Sequence, residues 1–306
     1  ILSSFSNTLT YTYNRTDKSS TIGFNAAYAG WFPVFNLGVE QSFNRTVDTA
    51  IGKSVSYNAA TVKAAVSIPL RFVGGRTNKF LNFGGGYNIE QYYYRGVGKN
   101  VFSNNSIDYI NAFLSFSNIS QQAKQHVNPR WAQSVSVNYR DAVNVINSHK
   151  FVGHASFYFP GLFVNHSFVI NTAYQNRDTL PDLFSKVFSY SRGYEALSTR
   201  RMYKIGVNYQ LPIFYPDWGF ANILFFQRIR ANAFYDYTNA KARVNGVLTE
   251  IMNRSTGAEI YFDTKLWNSL PLNFGIRFSH LLDKDLLNPL VKNRWEIILP
   301  IGLIPD

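Results

Sequence analysis

Five histidines, at His126, His149, His154, His166 and His280, are the first residues to test for chemistry, as general bases or metal ligands. Nucleophilic catalysis needs a base hydrogen-bonded to a hydroxyl, with an acid orienting the base. His166 and Ser167 are adjacent, which on a strand puts them on opposite faces. His154 and Ser156 share a face, but no acidic orienter accompanies them in that segment. Cysteine is absent, which removes thiolate ligands and thiol nucleophiles. Neither an HxxxH pair nor a carboxylate-rich calcium loop occurs. Gly84, Gly85 and Gly86 lack the GK[ST] ending and the following helix of a phosphate loop. These residues predict no enzyme, no metal centre and no cofactor.

Charge is concentrated elsewhere. In an extended conformation Arg228, Arg230, Asn232 and Asp236 share one face, with Ile229, Ala231, Ala233 and Tyr235 on the other. The next segment offers Glu259 and Asp263 on one row, and the one after it offers Arg277. An arginine on the lipid face of a membrane strand costs about 2–4 kcal/mol, so in a barrel these rows look inward. Arg228, Arg230, Asp236, Glu259, Asp263 and Arg277 are therefore expected to form a lumenal ladder of mutually satisfied charges. A porin selects solutes with charge arranged around a constriction, and a one-sided ladder is no such ring.

The elements that position these residues are strands. Leu272, Phe274, Ile276 and Phe278 alternate with Asn273, Gly275, Arg277 and Ser279, and the segments around Tyr203 to Gln210 and Ala258 to Asp263 alternate likewise. The expected spans are 4–15, 20–31, 33–44, 56–69, 78–92, 106–117, 130–139, 150–160, 166–176, 199–211, 221–236, 256–267, 271–281 and 293–303. These are about fourteen strands, mostly long enough to cross a bilayer at a tilt, where roughly 9–11 residues are needed. Short connections such as 31–33 and 269–271 alternate with long polar ones such as 44–56, 177–198 and 237–255. That arrangement predicts an all-β, antiparallel up-and-down transmembrane barrel with periplasmic termini. Facing follows: Phe274→Arg and Ile276→Arg should impair insertion, whereas Ser279→Arg and Asn208→Lys should be tolerated.

Composition agrees. Charged residues are 16% of the chain and aromatics 17%, where a soluble domain carries about 25% charged residues. The formal net charge of +12 comes from basic residues scattered one or two at a time, which suits anionic lipid and lipopolysaccharide better than nucleic acid. No run of about 18 apolar residues offers a membrane helix, and Ile1 to Asn7 do not read as a signal peptide. Residues 1–306 are expected to be one barrel domain, a mature fragment or the C-terminal part of a larger protein. Trp31, Tyr92, Trp131, Trp218, Trp267 and Trp295 lie near expected strand ends and are assigned to an interfacial aromatic girdle.

The segment Leu211 to Tyr237, LPIFYPDWGFANILFFQRIRANAFYDY, resembles the C-terminal region of Omp85-like barrels, and more closely the barrels that follow β-propellers in large outer-membrane proteins of Bacteroidota. The shared elements are the Pro-rich turn Leu211 to Asp217 and the run Arg228 to Tyr237. The resemblance implies an outer-membrane location and sixteen strands, two more than the alternation supports. It also implies a chain ending in an aromatic residue, whereas this one ends Leu303, Ile304, Pro305, Asp306. The functional expectation is a membrane anchor or scaffold subunit of an envelope complex, partnered by a periplasmic or surface protein or a fused soluble domain. A passive or selective pore and an Omp85-like insertion or translocation barrel are the alternatives. The long connection 177–198, with Leu180, Leu183, Phe184, Val187 and Phe188, is expected to fold inward or to dock a partner.

Overall fold

The computed structural model describes residues 4–15, 18–48, 54–100, 102–123, 125–144, 148–178, 188–197, 199–221, 223–244, 247–267 and 269–299. Among these residues fifteen strands follow in chain order. They are β1 (Phe5–Asn14), β2 (Ser19–Tyr28), β3 (Val34–Asp48), β4 (Ser54–Gly74), β5 (Thr77–Tyr94), β6 (Asn105–Ser120), β7 (Ala132–Ala142) and β8 (His149–Pro160), then β9 (Ser167–Arg177), β10 (Arg201–Phe214), β11 (Trp218–Phe220), β12 (Leu224–Val244), β13 (Val247–Leu266), β14 (Leu270–Leu281) and β15 (Asn293–Ile298). A short 3-10 turn, Gly96–Asn100, lies between β5 and β6.

Each strand pairs antiparallel with its neighbours in one sheet, in the order β1 to β10 and then β12 to β15. The path holds fourteen strands, the number that the alternation predicts. The fifteenth, β11, pairs only with β12, as a small hairpin inside the Pro-rich connection, where no separate strand is expected from the sequence. Among the described residues β1 and β15 form the two ends of the path, and their outer termini share the end of the sheet that carries the short turns.

Two connections are shorter than their sequences imply. Gly75, at φ +68, allows a two-residue turn between β4 and β5, where the expected spans 56–69 and 78–92 leave a longer linker. The loop expected over 237–255 is mostly strand. Pairing of β12 with β13 continues to Val244↔Val247, because Ala240 and Ile251 find an apolar cover there and are buried.

Burial runs opposite to that of a soluble protein. Asn208, Asn232, Asp236, Thr238, Glu259 and Ser279 are buried, while Leu9, Ile22, Leu37, Ile205, Ile260 and Ile276 are exposed. Polar side chains line a curled interior, and apolar ones face out. On β10 the outward row runs Tyr203, Ile205, Val207, Tyr209, Leu211, Ile213. That row climbs about 33 Å along the strand, or about 25 Å along the axis at the ~40° tilt of barrels, the height of a membrane-facing band.

Candidate functional site

The interior of β12, β13 and β14 is a wall of paired charge. Antiparallel register sets Arg228 opposite Asp263, Asn232 opposite Glu259, and Glu259 opposite Arg277. A bulge between Phe226 and Arg228 turns the arginine into the ladder. Arg228 Nη2 lies 2.7 Å and Arg230 Nε 3.1 Å from the Asp263 carboxylate. Arg277 bridges Glu259 at 2.5 Å and Glu296 of β15 at 3.1 Å. The Arg230 guanidinium also lies 4.2 Å over the Tyr261 ring. Asp236 stands apart from this ladder. It is fully buried and has no base directly across from it, since it faces Gly206 on one side and Ser255 on the other.

Asp236 is met by a tongue. Residues 188–197 of the β9–β10 connection turn into the lumen, and Phe188, Tyr190 and Leu197 pack on buried Met202, Ala240 and Ile251. Arg192 grips Asp236 with both ends of its fork, Nε to Oδ2 at 2.8 Å and Nη2 to Oδ1 at 2.9 Å, and its backbone N–H donates to Oδ2 at 3.0 Å. Nη1 donates to Glu259 Oε2 at 3.2 Å and Nη2 to Asn208 Oδ1 at 2.8 Å, while the guanidinium stacks 3.7 Å over Phe234. Lys204 stands 3.5 Å from the same Asp236 and donates to the Tyr190 carbonyl at 2.7 Å. Buried ions cost free energy unless every oxygen and proton is met. Glu259 satisfies this with Arg192, Arg277, Asn232 at 2.5 Å and Tyr261 at 3.1 Å.

The neighbours of Arg192 fix its approach. Gly193 has φ +83, and a Cβ there would lie 2.8 Å from Ser279 Cβ and from Leu281 Cδ2, so only glycine passes. Ser191 Oγ lies 2.6 Å from Thr238 Oγ1. The Tyr194 hydroxyl reaches the Arg254 carbonyl at 2.8 Å and accepts the Asp283 N–H at 3.0 Å. Of the apolar residues expected to turn inward, Phe188 does so, whereas Leu180, Leu183, Phe184 and Val187 lie outside the described residues.

A second connection reaches under the lumen at the turn end. The strap between β6 and β7 places Val127 in a buried position and Asn128 Nδ2 at 2.7 Å from Ser167 Oγ and 3.0 Å from Gln210 Oε1. The His126 carbonyl accepts from Arg228 Nη1 at 2.8 Å, and the Gln125 carbonyl from the Tyr215 hydroxyl at 2.7 Å. The tongue covers the inner face of β10 and β12–β14, and the strap touches β9, β10 and β12 at the turn end. Arg228 is thus both a rung of the ladder and a tie for the strap.

Trp31, Trp131, Trp218 and Trp267 are exposed at the turn end, and Trp295 is exposed at the loop end, on the outward row of β15. Tyr13, Tyr93, Tyr139, Tyr174 and Tyr203 are exposed on outward rows toward the loop end, whereas exposed Tyr215 lies at the turn end. Tyr92 corrects the girdle assignment. It shares the inward row of buried Asn88, packs against Ile107, Tyr109 and Ala142, and donates its hydroxyl to Glu90 at 2.7 Å. Counting by twos from Asn88 explains this, and its outward neighbour is Tyr93.

The tolerance expected for two inward substitutions is also corrected. Asn208 is 2% exposed and holds Arg192 and Asn232, and Ser279 is fully buried beneath Gly193. Asn208→Lys is therefore expected to displace the tongue, and limited proteolysis should cut the β9–β10 connection faster than in the parent. An unchanged digestion pattern would refute the lock.

His154 and Ser156 line one cavity of about 450 Å³ without an acid among its described lining residues. His166 Nδ1 lies 2.9 Å from the Tyr209 hydroxyl, and Ser167 is engaged by Asn128. His280 Nδ1 lies 2.7 Å from Asn293 Oδ1. Among the described residues no group of three or more His, Cys, Asp or Glu could hold a metal ion.

No protein-family model matches the sequence, and no curated protein matches it. The fold is similar to that of solved outer-membrane barrels. BamA from Haemophilus ducreyi, in a form lacking POTRA domains 1–3, matches with a TM-score of 0.58 at 11% identity, over 95% of this chain and 63% of that one. CdiB from Acinetobacter baumannii matches with a TM-score of 0.51 at 12% identity, over 96% of this chain and 53% of that one. At these identities the likeness shows the barrel fold alone, and this chain spans less than two thirds of the length of either structure.

Proposed function

We propose that the chain spans the outer membrane and serves as an anchor and docking platform in an envelope complex, with a periplasmic or surface protein, or a fused soluble domain, as its partner. The observation that carries this reading is the Arg192 tie, a tongue fastened to two buried carboxylates on the wall that it covers. A passage for solutes gains nothing from such a lock, whereas a rigid platform does. In this reading the outward apolar face meets outer-membrane lipid, scattered basic residues meet lipopolysaccharide phosphates, and no catalysis occurs. Reconstituted in planar bilayers, the protein should show little steady conductance, and native purification should recover an additional polypeptide. Large stable single-channel currents from a protein that copurifies with nothing would favour a pore.

The second reading, an insertion or translocation barrel, draws on the Omp85-like fold and on the resemblance of Leu211 to Tyr237. The platform reading draws on the same segment's closer resemblance, in its Pro-rich turn and the run Arg228 to Tyr237, to Bacteroidota barrels that follow β-propellers. Insertion of an unfolded client barrel into vesicles holding this protein would separate the two, since an anchor leaves the client's folding rate unchanged.

A further inference from the structure

Beside the tongue a cavity of about 450 Å³ opens between the wall of β8 and β9 and the Arg192 lock, toward the small end of ligand-site sizes. Its lining is mostly polar, with no acid among the described lining residues. Three bases reach it, Arg192 from the tongue, Lys204 from β10 and Arg277 from β14, with Ser156 of β8, Asn171 of β9 and Ser189 of the tongue between them. Ser189 is exposed, so the cavity meets solvent at the edge of the tongue.

Each base has a carboxylate partner, and donors remain once those partners are met. Lys204 Nζ has three N–H groups and commits two, to the Tyr190 carbonyl at 2.7 Å and toward Asp236 at 3.5 Å. Arg277 commits Nε to Glu259 and Nη1 to Glu296, which leaves Nη2 without a partner among the described residues. Ser156 and Asn171 stand directly across from each other, and Asn171 has Gly206 on its other side, which offers no side chain. Neither the Ser156 hydroxyl nor the Asn171 amide has a hydrogen-bond partner among the described residues.

The charge around the cavity is uneven. Asp236 and Glu259, which hold the three bases from behind, are fully buried, whereas Glu296 stands on β15 with its side chain 39% exposed. Solvent and salt screen Glu296, so at the cavity three bases outweigh two acids.

We propose that this cavity binds a small hydroxylated carboxylate, with its acid group on the Lys204 and Arg277 side and its hydroxyls on the Ser156 and Asn171 side. Ammonium and guanidinium donors make charge-assisted hydrogen bonds to a carboxylate. A serine hydroxyl and an asparagine amide each donate and accept, as the hydroxyls of such a ligand do.

The test is calorimetric titration of the intact, detergent-solubilised protein with gluconate, and separately with glucose, at constant ionic strength. Gluconate is expected to bind saturably. Glucose, which has the hydroxyls without the charge, should bind about tenfold more weakly or worse, the scale of one charge-assisted hydrogen bond. Asn171→Asp puts an acid into the cavity with little change of shape and without touching the Arg192 lock, and should weaken gluconate by about tenfold or more. Heat-dependent gel mobility checks that each variant is folded, and Ser156→Asp, directly across, makes the same test from the neighbouring strand. Asn36→Asp, on the inward row of β3 and outside the cavity, should leave gluconate binding unchanged. No saturable binding of gluconate, equal binding of glucose, or unchanged affinity in the folded Asn171→Asp or Ser156→Asp protein would overturn the site, as would equal weakening by Asn36→Asp.

Discussion

Arg192→Ala is expected to destabilise the folded barrel by about 3–5 kcal/mol, the cost of leaving buried charge without its partner. The substitution strips Asp236 of its bidentate side-chain partner, leaving it the backbone N–H of residue 192, and removes one of two arginines from Glu259. Lys204, 3.5 Å from Asp236, remains, but an ammonium cannot replace two parallel N–H bonds. Arg192→Lys should therefore recover only part of the loss. Because Arg192, Asp236 and Glu259 act as a unit, combining Arg192→Ala with Asp236→Asn should cost less than the sum of the single changes. Guanidinium titration of the protein folded in lipid vesicles measures all of these. A change below about 1 kcal/mol for Arg192→Ala would mean that the tongue rests on its apolar contacts alone.

How much of this was legible follows from what period-two alternation encodes. It assigns faces, and a hairpin assigns neighbours, so the sharing of one interior by Arg228, Arg230, Glu259, Asp263 and Arg277 can be read from one chain, while the pairs among them cannot. Alternation says nothing about a loop, and Arg192 belongs to one. Its signal was weak: Asp236 sits on an inward row with Gly206 and Ser255 directly across from it, and Lys204 on the same wall already stands 3.5 Å away. The alignment of Arg140 on β7 with Lys150 on β8, and of Lys150 with Arg177 on β9, was hidden for another reason. Which residues face one another across β7, β8 and β9 depends on where each hairpin turns, and a shift of two residues leaves every face unchanged while separating all three charges. Tyr92 was legible but misread, since proximity to a strand end was weighed above its parity with Asn88.

The other large effect sets two neighbouring residues against each other. Arg277 lies inside, between Glu259 and Glu296, whereas Ile276 lies outside among apolar cross-strand partners, Ile260 on β13 and Ile297 on β15. Ile276 is 49% exposed, and its partners are exposed too, as a lipid-facing row must be. Ile276→Arg finds no acid on that face and stands near the middle of β14, where lipid offers the guanidinium no water. The expected cost is about 2–4 kcal/mol, falling toward zero for the same change near a strand end. Asn36→Arg is the control, inward but exposed on the β1–β8 side, and should cost little, unlike inward Asn208, which the tongue covers. Folding into vesicles, followed by gel mobility and guanidinium titration, distinguishes them. Equal losses from Ile276→Arg and Asn36→Arg would reverse the assignment of lipid and lumen that every other assignment of facing depends on.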